Sequence, residues 1–132
     1  MTATAFDHVN LRIPRERLAA VRDFYVQVVG LREGERPPSP TAGHWLYLGD
    51  HPVLHLMDAS FRQLDAAVLA GGRGPVDHLA FACRDLEGTL ARLARLGVPY
   101  RRRDVPEAGF TQLFVEDPQG LSVELNFRAG GG

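Results

Sequence analysis

The sequence predicts an α+β fold made of two βαβββ modules, and three observations carry that expectation. The chain repeats itself: Asp7-His8-Val9-Asn10-Leu11 returns in altered form as Asp77-His78-Leu79-Ala80-Phe81. Gly30 then matches Gly97 and Asp50 matches Asp117, both at an offset of 67 positions. Within each half, a period-two segment is followed by apolar residues at helical spacing and then by further period-two segments. The length of 132 residues, with 45% apolar and 23% charged, suits one domain with a sizeable core.

The first strand is expected over residues 5–13, where Val9, Leu11 and Ile13 point one way and His8, Asn10 and Arg12 the other. Pro14 stops it. A helix over residues 15–29 carries Leu18, Val21, Tyr25 and Val28 on one face, and Gly30 is its natural C-terminal stop. Residues 33–44, with Gly34, three prolines and Gly43, read as a loop. A strand follows over 45–48, then a turn at Gly49-Asp50-His51-Pro52, then a strand over 53–57.

The second module repeats this order. Residues 77–83 form a strand, Asp85 caps a helix, and Leu86, Leu90 and Leu93 mark its buried stripe until Gly97 and Pro99 end it. A short strand near Tyr100, a strand over 111–115, the turn Asp117-Pro118-Gln119-Gly120 and a strand over 121–127 complete the module. Asp117, with Pro118 and Gly120, sets the turn ahead of the last strand. Between the modules, residues 60–70 suggest a short linking helix, and Gly71-Gly72-Arg73-Gly74-Pro75 a hinge. The organisation is one domain, 1–132: module one about 5–57, linker about 58–76, module two about 77–127. A single βαβββ unit cannot hide both its helix-facing side and its sheet edge, so the two are expected to pair.

Charge and cysteine content exclude several classes. Fifteen basic and sixteen acidic residues leave a net charge of −1, so neither nucleic acid nor an anionic membrane is expected as partner. Arg101-Arg102-Arg103 is the one basic cluster and reads as a solvated loop. The single Cys83 forbids an internal disulfide, sits on the strand face opposite His78, and fits a reducing cytoplasm. No apolar run resembles a signal peptide or a membrane span. Residues 128–132 read as a frayed tail.

The residues that carry chemistry are His8, His55, His78 and Glu124. His8 and His78 lie 70 positions apart, and His55 and Glu124 lie 69 apart. Parity places all four away from the helices: Val123, Leu125 and Phe127 must face the core, which puts Ser122, Glu124 and Asn126 on the other face, and His55 lies opposite Leu54 and Leu56. If the two sheets curl into a cup, the four converge inside it. Imidazole and carboxylate suit one divalent transition metal, Fe, Ni, Zn, Mn or Co. Trp45, Tyr47, Gln112, Phe114 and Asn126 share that face and offer stacking and amide contacts to a small-molecule substrate. Arg12 and Arg103 are candidate anion contacts. His44 and His51 are expected to be exposed.

These residues resemble the vicinal oxygen chelate superfamily, which includes glyoxalase I, extradiol dioxygenases and bleomycin-resistance proteins. The segment from Gln112 to Leu125 is similar to the family's aromatic–Asp-Pro-x-Gly–x-x-x-Glu-Leu ending, and Asp7-His8-Val9, Phe24-Tyr25 before Val29-Gly30-Leu31, and Asp77-His78-Leu79 support it. The resemblance implies a glyoxalase/dioxygenase-like fold, its paired modules forming a curved, cup-shaped mixed sheet. It implies metal ligation by His8, His78 and Glu124, with His55 at a fourth position that is often Glu or Gln. Because His55 is an imidazole, Glu124 becomes the candidate catalytic base. The expected function is a glyoxalase I-type lyase or isomerase that binds a small substrate through neighbouring oxygens. An extradiol-type dioxygenase with a two-histidine, one-carboxylate iron site is the first alternative, and a metal-free binding or resistance protein the second. A homodimer is expected, since small family members usually pair.

Overall fold

In both halves of the chain, the strand that opens the module lies parallel to the strand that closes it. The computed structural model describes residues 4–61 and 76–129, and the chain divides into two compact units, Met1–Ala70 and Gly71–Gly132. The first unit holds β1 (Val9–Ile13), α1 (Leu18–Phe24), β2 (Arg32–Gly34), β3 (Gly43–Leu48) and β4 (His51–Asp58). Its sheet order is β1-β4-β3-β2. β1 runs parallel to β4, while β2, β3 and β4 are joined antiparallel.

The second unit repeats the plan with β5 (His78–Cys83), α2 (Leu86–Leu96), β6 (Arg101–Val105), β7 (Phe110–Glu116) and β8 (Ser122–Arg128). Its order is β5-β8-β7-β6, again with one parallel pair, β5 with β8. Parallel neighbours need a long crossover, and the helix with its two following strands supplies it in each unit. The expected βαβββ modules and the α+β class are the observed ones.

Core residues fall where parity put them. Ile13, Leu46, Leu54 and Leu56 are buried with Leu18, Val21, Tyr25 and Val28 of the helical segment in the first unit, where α1 packs on β3 and β4. Leu113, Val115, Val123, Leu125 and Phe127 are buried in the second, together with Leu93 of α2. Burying an aliphatic side chain of this size stabilises by about 1.5–3 kcal/mol, so these faces determine which side of each sheet is left for chemistry. No helix among the described residues is long and apolar enough to cross a membrane.

The boundaries differ from the sequence expectation in instructive places. The first helix is three pieces: a 3₁₀ turn at Arg15–Arg17, α1, and a wider π-type turn at Tyr25–Val29 that closes on Gly30 at φ 92°. β1 starts at Val9 rather than at residue 5, and Glu33 and Gly34, expected to begin a loop, pair with β3 together with Arg32. His51 and Pro52 belong to β4, so the turn is only Gly49-Asp50. The strand near Tyr100 is Arg101–Val105. On α2 the buried positions are Thr89 and Leu93, with Leu86 and Leu90 half-buried. Alternation identifies strand faces, but where a ladder begins is decided by the neighbouring strand. Ala59–Phe61 is a 3₁₀ turn; the rest of the expected linking helix and the glycine hinge lie outside the described residues.

Two caps position the site-bearing strands. Asp85, at φ 62°, accepts a hydrogen bond from the Gly88 amide at 3.0 Å and starts α2 as expected. Buried Asp117 accepts from the amides of Gln119 and Leu121 at 2.8 and 2.9 Å, and Gly120 completes the turn at φ 89°. That turn determines the register of β8 against β7, and therefore where Glu124 stands.

Candidate metal and ligand-binding site

The four ligand candidates form two pairs, one in each unit, and the pairs are built alike. Asn10 is the register partner of His55 on β1 and β4, and Ala80 is the partner of Glu124 on β5 and β8. The histidine that precedes each of those partners by two residues, His8 or His78, therefore shares a sheet face with the second donor. Buried Leu54 and Leu56 flank His55, and buried Val123 and Leu125 flank Glu124. The repeat seen in the sequence is thus a repeat in register.

In both pairs the first histidine is held by the residue before it. Nδ1 of His8 donates to the Asp7 carboxylate at 2.6 Å, and Nδ1 of His78 donates to the Asp77 carboxylate at 2.7 Å. A proton on Nδ1 leaves Nε2 as the lone-pair nitrogen of the neutral ring. The Asp77 hydrogen bond also raises the His78 pKa above the ordinary imidazole value, with Glu124 adding to the effect. Asp7 is held below the ordinary carboxylate value, chiefly by its bond to His8. Its backbone carbonyl accepts from Nε2 of His51 at 2.6 Å.

The second members differ. His55 is sandwiched: its ring stacks on His8 with centroids 3.9 Å apart and on Trp45 with centroids 4.0 Å apart. Nε2 of His55 donates to the Pro52 carbonyl at 3.1 Å, leaving Nδ1 as its remaining nitrogen donor. Burial, then the neighbouring His8, lowers its pKa. Glu124 is 9% exposed. One carboxylate oxygen lies 3.6 Å from Nε2 of His78, and the other accepts from Nδ2 of Asn126 at 2.5 Å. That bond orients the Asn126 amide and leaves its Oδ1 buried without a partner among the described residues, as is Oε1 of Gln112, its neighbour in register. Among the described residues no group of three or more His, Cys, Asp or Glu side chains gathers to hold a metal; the donors come as these two pairs.

A cavity of about 280 Å³ opens in the first unit beside the histidine stack. His8, Asn10, Trp45, His55 and Met57 line it from the sheet, and the loop carrying Arg36, Pro37, Pro38, Ser39 and Thr41 lines it from the other side. Arg36 is tied to that loop, Nη1 donating to the Thr41 carbonyl at 2.9 Å and Nη2 to Thr41 Oγ1 at 3.0 Å. Gly43 keeps the corner open, because a Cβ there would meet the Leu56 carbonyl oxygen at 2.3 Å and Arg36 Nη2 at 3.0 Å.

A profile of the Glyoxalase/Bleomycin resistance protein/Dioxygenase superfamily matches residues 5–125. The chain belongs to this superfamily. Solved structures of its fold agree along nearly the whole length. A glyoxylase/bleomycin resistance protein/dioxygenase domain from Frankia sp. EAN1pec is 19% identical with TM-score 0.73, covering 99% of this chain and 96% of that one. An antibiotic binding protein, TnmS3, from Streptomyces sp. CB03234 is 18% identical with TM-score 0.69, covering 98% and 99%. A lactoylglutathione lyase from Agrobacterium tumefaciens is 22% identical with TM-score 0.64, covering 96% of each chain. At these identities the likeness is one of fold. No curated protein sequence matches the chain.

This superfamily member places its expected substrate contacts unevenly. Trp45 lines the cavity, whereas the Tyr47 hydroxyl donates to the Glu35 carbonyl at 2.5 Å and its ring carries the Arg32 guanidinium. Gln112 and Phe114 lie on β7 as register partners of Asn126 and Glu124, with Arg101 over the Phe114 ring. Arg12 is exposed and is not among the cavity-lining residues. Arg103 is exposed on β6, and the Arg101–Arg103 run is strand rather than loop. His51 is exposed as expected, but His44 is half-buried and bonds to Glu33. Sequence reasoning missed Arg36 and the cavity loop, which carried no signal beyond Gly and Pro content. It also passed over Asp7 and Asp77, although both belong to the repeated Asp-His dipeptide.

Proposed function

We propose that this superfamily member is a divalent-metal-dependent enzyme of the glyoxalase lyase or isomerase kind. His8, His78 and Glu124 would hold the metal, with His55 at or just outside its coordination shell through Nδ1. The observation that supports this most is the duplicated construction: each unit presents a histidine whose Nδ1 is bonded to the preceding aspartate and a second donor on the same sheet face. Carboxylate-anchored imidazoles with Nε2 left as donor are what a metal site needs, and two imidazoles with one carboxylate suit Fe, Ni, Zn, Mn or Co.

When bound, such a metal supplies Lewis acidity toward two neighbouring oxygens of a small substrate. The chain's own residues would do the rest. Glu124, its outer oxygen steadied by Asn126 and its inner oxygen facing His78, moves a proton at the carbon beside the substrate carbonyl. Trp45 offers a flat apolar wall to the substrate body. Thiol or glutathione participation has no dedicated feature among the described residues. A homodimer in the cytoplasm is the proposed working form.

A dioxygenase reading has one observation in its favour. His55 is stacked on both faces and bonded through Nε2, which leaves a two-histidine, one-carboxylate set of the kind iron oxygenases use. Metal analysis of untagged protein tests the primary proposal. Nickel, cobalt or zinc near one equivalent, lost in Glu124→Ala with unchanged circular dichroism, supports it. Iron with substrate-dependent dioxygen uptake transfers support to the dioxygenase. Unchanged metal content in Glu124→Ala overturns the ligand assignment, and the absence of any bound metal favours a metal-free binding protein.

A further inference from the structure

The cavity of the first unit is chemically one-sided. Its lining contains a guanidinium, two imidazoles, hydroxyl and amide groups and apolar side chains, and no aspartate or glutamate. Arg36 spends two of its five N–H donors on Thr41 and keeps three. Among the described residues no carboxylate forms an ion pair with it. A guanidinium fixed by two hydrogen bonds in a loop stiffened by Pro37, Pro38 and Pro40 has already lost its rotamer freedom. Ordering it does not count against a ligand.

From these observations we propose that Arg36 is the specificity-determining residue of the cavity. It would select a small organic acid whose carboxylate or phosphate group it binds, while the apolar body lies along Trp45 and Met57. The size agrees, since about 280 Å³ falls just below the roughly 300–1,000 Å³ typical of drug-sized ligands. The planar fork of Arg36 matches either oxyanion in a bidentate manner, which an ammonium in its place would not. Arg12 and Arg103, the arginines the sequence offered as anion contacts, are exposed and do not line the cavity. The inference names the substrate class for the site proposed above and rests on that reading only in taking this cavity as the substrate's entry.

Trp45 is the sole tryptophan, so its emission reports on this cavity alone. The test is a fluorescence titration of chelator-treated, metal-free protein with benzoate, phenyl phosphate and the uncharged benzamide. Saturable change with at least one acid, tenfold or more tighter than with benzamide, is expected. The tighter of benzoate and phenyl phosphate identifies the oxyanion. Arg36→Gln should bring acid and amide to within about twofold of each other, and Arg36→Lys should recover only part of the preference. Equal binding of acid and amide, no saturable response to either acid, or a preference that survives Arg36→Gln would overturn the proposal. Should Arg36→Gln fail to fold, the acid-to-amide ratio in the native protein still decides. Because no metal is present, failure here leaves the metal proposal standing, and a protein without metal can still show the acid preference.

Discussion

The ring of His8 lies on the ring of His55, centroids 3.9 Å apart and planes inclined by 14°. Two imidazoles at that distance cannot both carry a proton without repulsion, and His55, the more enclosed, is the one whose pKa is lowered. In the second unit the counterpart of His8 is His78, whose pKa is raised chiefly by its hydrogen bond to Asp77 and further by Glu124, 3.6 Å from its Nε2. One duplicated arrangement therefore yields two histidines displaced in opposite directions.

Histidine-resolved NMR titration of metal-free protein should show His55 titrating below, and His78 above, the ordinary imidazole value. The stability consequences have opposite signs. For His55 the unfolded chain takes up the proton first, so stability is present above the unfolded pKa and lost as pH falls through the lower folded one. For His78 stability is present below the unfolded pKa and lost as pH rises through the raised folded one. Asp77→Asn removes the largest cause of the upward shift and should bring the His78 titration down. An unmoved midpoint would refute the role given to Asp77.

Asn126→Ala should leave the fold intact and weaken metal binding about 10–100-fold, the usual cost of removing a group that orients a ligand. The reason is that Asn126 is the hydrogen-bond donor to the outer oxygen of Glu124. Calorimetric titration of metal-free protein with zinc measures it. Equal affinity in the two proteins would show that Glu124 does not depend on Asn126, or does not ligate.

Val123→Ala or Leu125→Ala should destabilise by about 2–4 kcal/mol through a core cavity, because both side chains are buried. Ser122→Ala, of opposite parity and half-buried, should cost little. Urea denaturation of the three variants checks this, and equal losses would contradict the face assignment.

Gly43→Ala should destabilise by about 1–3 kcal/mol, since its Cβ would meet the Leu56 carbonyl oxygen at 2.3 Å. The same variant should alter Trp45 emission, because Arg36 and the cavity corner must shift with β3. A native denaturation midpoint would show that the strands separate more easily than this contact implies.

Light scattering at micromolar concentration should find a homodimer. Mixed His8→Ala and Glu124→Ala subunits should regain metal binding after exchange if a site takes ligands from two chains, and stay without it if each site belongs to one chain. A monomer at that concentration would remove the dimer from the proposal.

Much of this protein could be read from residue order alone. The Asp-His repeat announced two equivalent modules, and period-two alternation placed His55 and Glu124 opposite buried neighbours, because a strand allows a side chain only two directions. The Asp117-Pro118-Gln119-Gly120 turn and the Asp85 cap were equally legible, since their hydrogen bonds close within four residues. What residue order could not express is which groups far apart in sequence touch one another. The stacking of His55 between His8 and Trp45, the meeting of Arg36 with those residues at one cavity, and the pairing of β2 with β3 each depend on strand register and loop closure. Those follow from packing summed over a whole sheet, so only the tertiary structure decided them.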